Sequence, residues 1–364
     1  MDLALDDDQQ AIAQAAADFL AEACAAPAMR AAADSADGMD RALWQGIVEQ
    51  GWCAVAAPEA EGGLGLGEVG LALLAEQLGR HLAGVPFFES AIEAAALLRA
   101  CGNPEPALLA GVASGAVLVL AAHATHADAS TTPAGDWRLD GTWPQVPGAA
   151  WADNFLLLIE GESPRLFWVP APELAVEPLA MIDTTRRSAS VHAHAVHVPA
   201  TALLAEGAAL RTALVHARGL AAIALAAEQV GVAQQCLDLT LAYAAQRMQF
   251  GRPIASFQAV KHRCAQMLVA IESARSAVYG AAAVADAAPE ATTLSFHAAE
   301  AWCAACDAVR YAAQEAIQLH GGVGYTWEVD VQRYFKRAQA NRVRGGDPST
   351  WRERVAAQLL DAAP

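Results

Sequence analysis

After Glu206 the sequence carries two long sets of apolar residues at helical spacing: Val230, Ala233, Leu237, Leu241, Ala244 and Met248, then Val260, Cys264, Met267, Ile271, Ala274 and Val278. A 3.6-residue period sustained over several turns places each set on one face of a long helix, and such a face must be buried against other helices. This predicts a helical bundle over residues 205–364 that closes the chain.

Upstream the pattern changes twice. Residues 113–204 read as a β domain of short strands at 116–120, 137–139, 154–159, 165–169 and 190–198, with turn-forming residues at 133–136 and 160–164 between some of them. Residues 1–112 read as helices. Asp6 offers an N-cap with Gln9 at the capping-box position, and Ile12, Ala16, Phe19 and Ala23 follow at helical spacing. Further helices are expected at 40–50 and 68–82. The fold class is therefore α+β: an N-terminal helical domain, a middle β domain and a C-terminal helical bundle.

The 364 residues are 55% hydrophobic and 17% charged, enough apolar material for a sizeable core. With 23 basic against 40 acidic side chains the net charge is −17, which disfavours nonspecific attraction to nucleic acid or anionic lipid. Any anionic ligand has to be held by local donors. The acidic start, Met1 to Asp8, lacks the basic end and apolar stretch of an export signal. The most apolar stretch, 219–233, is interrupted by Glu228 and Gln229 and is too short to span a bilayer. The expectation is a cytoplasmic protein without a membrane segment.

Three patterns resemble chemical motifs and read better as structure. Residues 65–70 match G-x-G-x-x-G, but no convincing strand precedes them, so they read as a glycine-rich connector to a helix. His192 and His194 share a strand face without further ligands at metal spacing, and no metal site is expected. Cys303 and Cys306 lie inside helical sequence, as small packing residues.

Two segments of the bundle are more informative. Arg247-Met248-Gln249-Phe250-Gly251-Arg252-Pro253-Ile254 ends one helix, and Phe257-Gln258 opens the next. This gathers a guanidinium and amides beside a helix N-terminus, a place that favours anions such as pyrophosphate. Downstream, Gln318-Leu319-His320-Gly321-Gly322 ends a helix in glycines that cap it and let a flat ligand approach the backbone.

In this order and spacing the two segments resemble the acyl-CoA dehydrogenase family. The resemblance extends to Leu43-Trp44 through Gly51-Trp52, to Pro58-Glu59-Ala60-Glu61-Gly62-Gly63-Leu64-Gly65 and to Glu76-Gln77-Leu78-Gly79-Arg80, and it covers essentially the whole chain. It implies FAD as cofactor and an acyl-CoA thioester as substrate. It also gives Arg247, Gln249, Phe250, Gln258, Gln318, Gly321 and Gly322 the role of contacting an FAD bound mainly by the neighbouring subunit.

The pattern breaks at the catalytic glutamate that removes the substrate α-proton. Aligning Lys336-Arg337-Ala338 with the family puts Gly345 at that position and Gly346 after it, and no acid occurs between Asp330 and Asp347. The alternative family position, on an earlier helix, falls at about Ala221, again without an acid nearby. The family's Thr-Glu-Pro and Gly-Ser flavin seat is replaced by 121–128. This asymmetry resembles the noncatalytic subunit of bacterial heteromeric dehydrogenases of steroid side chains, as does Asp183-Thr184-Thr185-Arg186. The resemblance implies a homologous catalytic partner in a heterotetramer with two copies of each subunit. Two alternatives stay open: a self-sufficient enzyme with a displaced base, Asp347 first and Glu228 second, and a nonenzymatic acyl-CoA-binding or assembly protein.

Overall fold

The structure, a computed structural model, describes residues 5–361. Met1 to Ala4, half of the acidic start, and the last three residues of the expected bundle lie outside the described residues. Helices α1 (Asp7–Ala23), α2 (Ala26–Asp34), α3 (Arg41–Glu49), α4 (Gly67–Arg80), α5 (Ala95–Ala100) and α6 (Pro106–Ala113) come first. Strands β1 (Leu118–Ala121), β2 (His126–Thr131), β3 (Trp137–Pro147), β4 (Asn154–Ile159), β5 (Arg165–Pro170), β6 (Ala175–Pro178), β7 (Ser188–Val198) and β8 (Leu203–Glu206) follow. Then come α7 (Gly207–Gln246), the short strands β9 (Met248–Gln249) and β10 (Arg252–Pro253), α8 (Gln258–Asp286), α9 (Ala291–His320), α10 (Val331–Gly345) and α11 (Pro348–Asp361).

The chain forms two compact units. One comprises residues 30–65 and 84–221, the other residues 1–29, 66–83 and 222–364. The first holds the strands as two four-stranded sheets, ordered β1-β4-β5-β8 and β2-β3-β7-β6. Their inner faces share one core in which Phe155, Leu157, Phe167 and Val169 meet Leu139, Trp143, Val191 and Val196. Alternation along each strand produces this core, because every second side chain points inward. Trp143 is fully buried, and its indole Nε1 donates to Leu158 O at 3.2 Å.

The second unit is the helical bundle. Helix α8 packs along α9, α10 and α11 pack on α9, and α4 packs on α1 and α8. Helices α4 and α7 approach backbone to backbone at Gly79 and Gly231, where any Cβ would collide with the carbonyls of Glu228 and Glu76. Of the polar groups buried in the bundle, Gln332 has neither amide atom hydrogen-bonded among the described residues, whereas Glu76 is paired. The Glu76 carboxylate accepts from Arg275 Nε at 3.1 Å and from the Tyr279 hydroxyl at 2.8 Å.

Several expectations match the fold. Asp6 caps α1 with a full capping box through Gln9, Asp40 caps α3, and the strand expected at 154–159 has those bounds. Others need correction. Leu241 and Met248, expected in a buried stripe, are 48% and 53% exposed: Leu241 lies on the exposed side of α7, and Met248 lies past the helix end in β9. The strand expected at 137–139 runs on to Pro147 through a bulge, and β2, β6 and β8 were not anticipated. β2 reads His-Ala-Asp-Ala-Ser-Thr and buries only Ala129, so its alternation carries almost no hydrophobic signal. By length and composition α7 and α8 are apolar enough to cross a bilayer. Within the most apolar stretch half of α7 but only a third of α8 is buried.

Candidate flavin half-site

The end of α7 turns into the β9–β10 hairpin, whose register pairs Arg252 with Gln249. Its two central residues, Phe250 (φ +54°) and Gly251 (φ +77°), are both left-handed. That geometry gives a tight two-residue hairpin matching the strand twist. Glycine adopts it freely. Phenylalanine does so against Cβ repulsion, and its ring stands 91% exposed at the tip.

The hairpin separates the two arginines. The Arg252 guanidinium lies 4.1 Å from the centroid of the Phe257 ring, a cation–π pairing. The Arg247 side chain has no hydrogen bond or ion pair among the described residues. It faces a cleft of about 450 Å³ shared with Tyr243, Gln249, Ile254, Leu319, His320, Gly321, Gly322 and Val323.

The far wall of the cleft is the end of α9. Gly321 (φ +66°) terminates the helix, and a Cβ built on Gly321 or Gly322 would meet nothing within 4 Å, so both backbones face open space. Arg247, Gln249, Gly321 and Gly322 thus come together as the sequence suggested. Phe250 at the hairpin tip, Gln258 at the start of α8 and Gln318 on an exposed face of α9 do not line the cleft. Gln258 Nε2 donates instead to His262 Nε2 at 3.0 Å. Sequence reasoning passed over Tyr243 and His320, whose rings stack at 4.4 Å in the cleft wall. An unpaired guanidinium, a neighbouring amide, bare glycine backbone and stacked rings suit a dinucleotide carrying pyrophosphate.

The residues considered for a catalytic carboxylate lie elsewhere. Gly345 ends α10, and a Cβ there would collide with the ring of Trp302, which is fully buried. The Trp351 indole donates to Gly345 O at 2.8 Å and the Trp302 indole to Gly346 O at 3.1 Å. The Trp302 ring therefore occupies the place where a side chain would project, while Trp351 holds the backbone beside it. Asp347 is exposed and caps α11 by accepting from Ser349 N at 2.9 Å, with Arg342 at 3.6 Å. These contacts hold its carboxyl below the usual carboxylate range, first through the Ser349 N–H, which makes it a weak proton acceptor. Glu228 is buried and committed, accepting at 2.9 Å from both Arg337 and Asn341. Ala221 lines a smaller cleft in the other unit with Leu97, Leu120, His123, Arg218 and an acid not singled out in the sequence, Glu93. Glu93 belongs to a seven-residue π-helix, Phe88–Ala94. Such helices recur at functional sites and have no plain sequence signature.

Comparison with known proteins decides the family. The sequence model described as the acyl-CoA dehydrogenase N-terminal domain matches residues 6–116, and that of the C-terminal domain matches residues 208–360. The chain belongs to the acyl-CoA dehydrogenase family. The acyl-CoA dehydrogenase IpdE2 of Mycobacterium tuberculosis is 35% identical over 336 residues, 92% of each chain, and that of Mycolicibacterium smegmatis is 34% identical over 346 residues, 94% of this chain and 96% of its own. Among solved structures, a chain of the ChsE4–ChsE5 complex from Mycobacterium tuberculosis superposes with a TM-score of 0.88 at 27% identity over all of both chains. A variant of the Tcur3481–Tcur3483 steroid ACAD gives 0.85 at 30% over 98% of each. Acyl-CoA dehydrogenases use FAD, and the Arg247 cleft has the donors and open backbone to hold part of it.

Proposed function

We propose that this chain is the noncatalytic subunit of a heteromeric acyl-CoA dehydrogenase, lending its Arg247 cleft to an FAD seated mainly in a homologous catalytic subunit. The observation that carries this reading is Gly345, where Trp302 leaves no room even for a Cβ and hence none for the family's glutamate. In the reaction a base takes the α-proton of the acyl thioester, hydride leaves the β-carbon, and the 2-enoyl double bond forms. FAD, when bound, supplies the hydride acceptor. Arg247 and Gln249 hold the cofactor from this side, and the partner supplies the base.

Two further features support a partner. Helix α8 keeps Leu268 and Val269 exposed, and only a third of its most apolar stretch is buried, a face that calls for a cover. Some of the similar solved structures are themselves heteromeric complexes. One of them is described as a steroid ACAD, and this, together with the Asp183-Thr184-Thr185-Arg186 segment, makes a steroid-like acyl-CoA the proposed substrate, handled in the cytoplasm by two copies of each subunit. The test is to purify the chain alone and with a homologue that carries the glutamate. The expected result is yellow flavin and turnover only in the pair, and stoichiometric FAD with turnover in the lone chain overturns the reading.

A second reading rests on Glu93, the carboxylate that shares the smaller cleft with Ala221. There the chain is self-sufficient and Glu93 is the displaced base. Glu93→Gln then abolishes turnover by the lone chain, whereas under the first reading there is no such turnover to lose.

A further inference from the structure

His320 is one of the most deeply placed side chains of the Arg247 cleft, 5% exposed and stacked on Tyr243. Its Nδ1 lies 2.7 Å from Ala316 O, one turn back along α9. A backbone carbonyl can only accept, so Nδ1 carries the proton and donates it. The tautomer is thereby fixed, with Nε2 left as an acceptor. Among the described residues Nε2 has no partner, and the ring lines the cleft. Burial pushes the imidazole pKa below its ordinary value, consistent with a neutral ring at physiological pH.

We propose that His320 is a cofactor-positioning residue: its Nε2 accepts a hydrogen bond from a hydroxyl or amino group of the dinucleotide that enters the cleft beside Arg247. This rests on the reading of the cleft as a flavin half-site and adds an element that reading lacks. Arg247 supplies charge for the pyrophosphate but no acceptor, and the open glycines supply only backbone. The exposed Gln249 amide can turn either its oxygen or its nitrogen to a ligand, so none of these is a fixed side-chain acceptor. A dinucleotide also carries ribose and ribityl hydroxyls and an amino group, all of them donors. A fixed acceptor in the wall distinguishes such a ligand from a simple phosphate and sets its orientation. The Tyr243 ring holds the imidazole plane, so little ordering remains to be done on binding.

The experiment uses the complex of this chain with its catalytic homologue, stripped of flavin and titrated with FAD while flavin fluorescence is followed. His320→Phe keeps an aromatic face against Tyr243 and removes the acceptor, and His320→Gln restores an acceptor without the ring. The expected results are a threefold to tenfold rise in Kd for His320→Phe, about one net hydrogen bond, and recovery of most of that loss in His320→Gln. Arg247→Ala is the reference, with an expected rise of about tenfold to hundredfold. Thermal melting of each flavin-free complex checks that the fold is kept. An unchanged Kd for His320→Phe, with Arg247→Ala weakened, overturns the role of His320 and leaves the half-site standing. An unchanged Kd for both overturns the half-site reading itself. If His320→Gln binds as weakly as His320→Phe with equal melting, the ring serves packing alone and the inference fails.

Discussion

Gly345 is the residue on which the proposed noncatalytic role turns. With the Trp302 ring against it and both following carbonyls captured by indoles, Gly345→Ala is expected to be strongly destabilising, because a buried tryptophan cannot yield without opening a void. Trp302→Ala alone is expected to cost about 3–5 kcal/mol for the cavity it leaves. Combining the two should cost less than the sum, and chemical denaturation of the three variants measures that coupling. Strict additivity would mean the residues do not meet. Asp347→Asn, by contrast, should leave turnover of the complex unchanged, since Asp347 is an exposed helix cap. A loss of several orders of magnitude with intact assembly would instead make Asp347 the base. Asp183-Thr184-Thr185-Arg186, which resembles the bacterial heteromeric subgroup, makes contacts both within the segment and with Phe88. The buried Asp183 carboxylate accepts from Thr185 N at 2.9 Å, and Arg186 lies over the Phe88 ring at 5.6 Å.

Among the elements, the β9–β10 hairpin sets local cost against use. Phe250 adopts a left-handed backbone that glycine would adopt more readily, and its ring buries almost nothing within this chain. Phe250→Gly is therefore expected to leave the stability of the isolated chain unchanged or raise it by about 1 kcal/mol, while lowering FAD retention in the complex. Loss of chain stability with unchanged flavin would mean the ring is structural after all. The elements also differ in how far the sequence revealed them. Caps and helical periodicity are local, so α1, α3 and α4 could be read from Asp6, Asp40 and the apolar spacing. Strand β2 owes its place to pairing with β3, and the π-helix at Phe88–Ala94 to packing around it, neither of which a single segment records. The same holds at the cleft. Arg247 and the glycine pair carry recognisable spacing, whereas Tyr243 and His320 gain meaning only when α7 and α9 come together.

For the whole molecule, the helical unit contains the half-buried His81 and the buried His320, whose pKa values burial pushes below the ordinary 6.5. The unfolded chain therefore binds more protons than the folded one between the folded pKa values and about 6.5. Stability is full above 6.5 and falls as pH drops through the folded values. Melting temperature should accordingly decline on acidification below about pH 6.5, and His81→Gln or His320→Gln should flatten part of that slope. Identical slopes in both variants would place the acid sensitivity elsewhere. Assembly adds to stability in its own way, because a partner that binds only the folded chain raises the apparent melting temperature with its concentration.

The indole filling at Gly345 also bears on ancestry. A glutamate lost by a single exchange can return by a single exchange, provided its former space stays vacant. Here Trp302 occupies that space, so a carboxylate introduced first meets a ring and a shortened Trp302 introduced first leaves a hole. Either route back passes through a poorly folded intermediate. On the proposed division of labour, the packing works as a ratchet that keeps this lineage dependent on its partner.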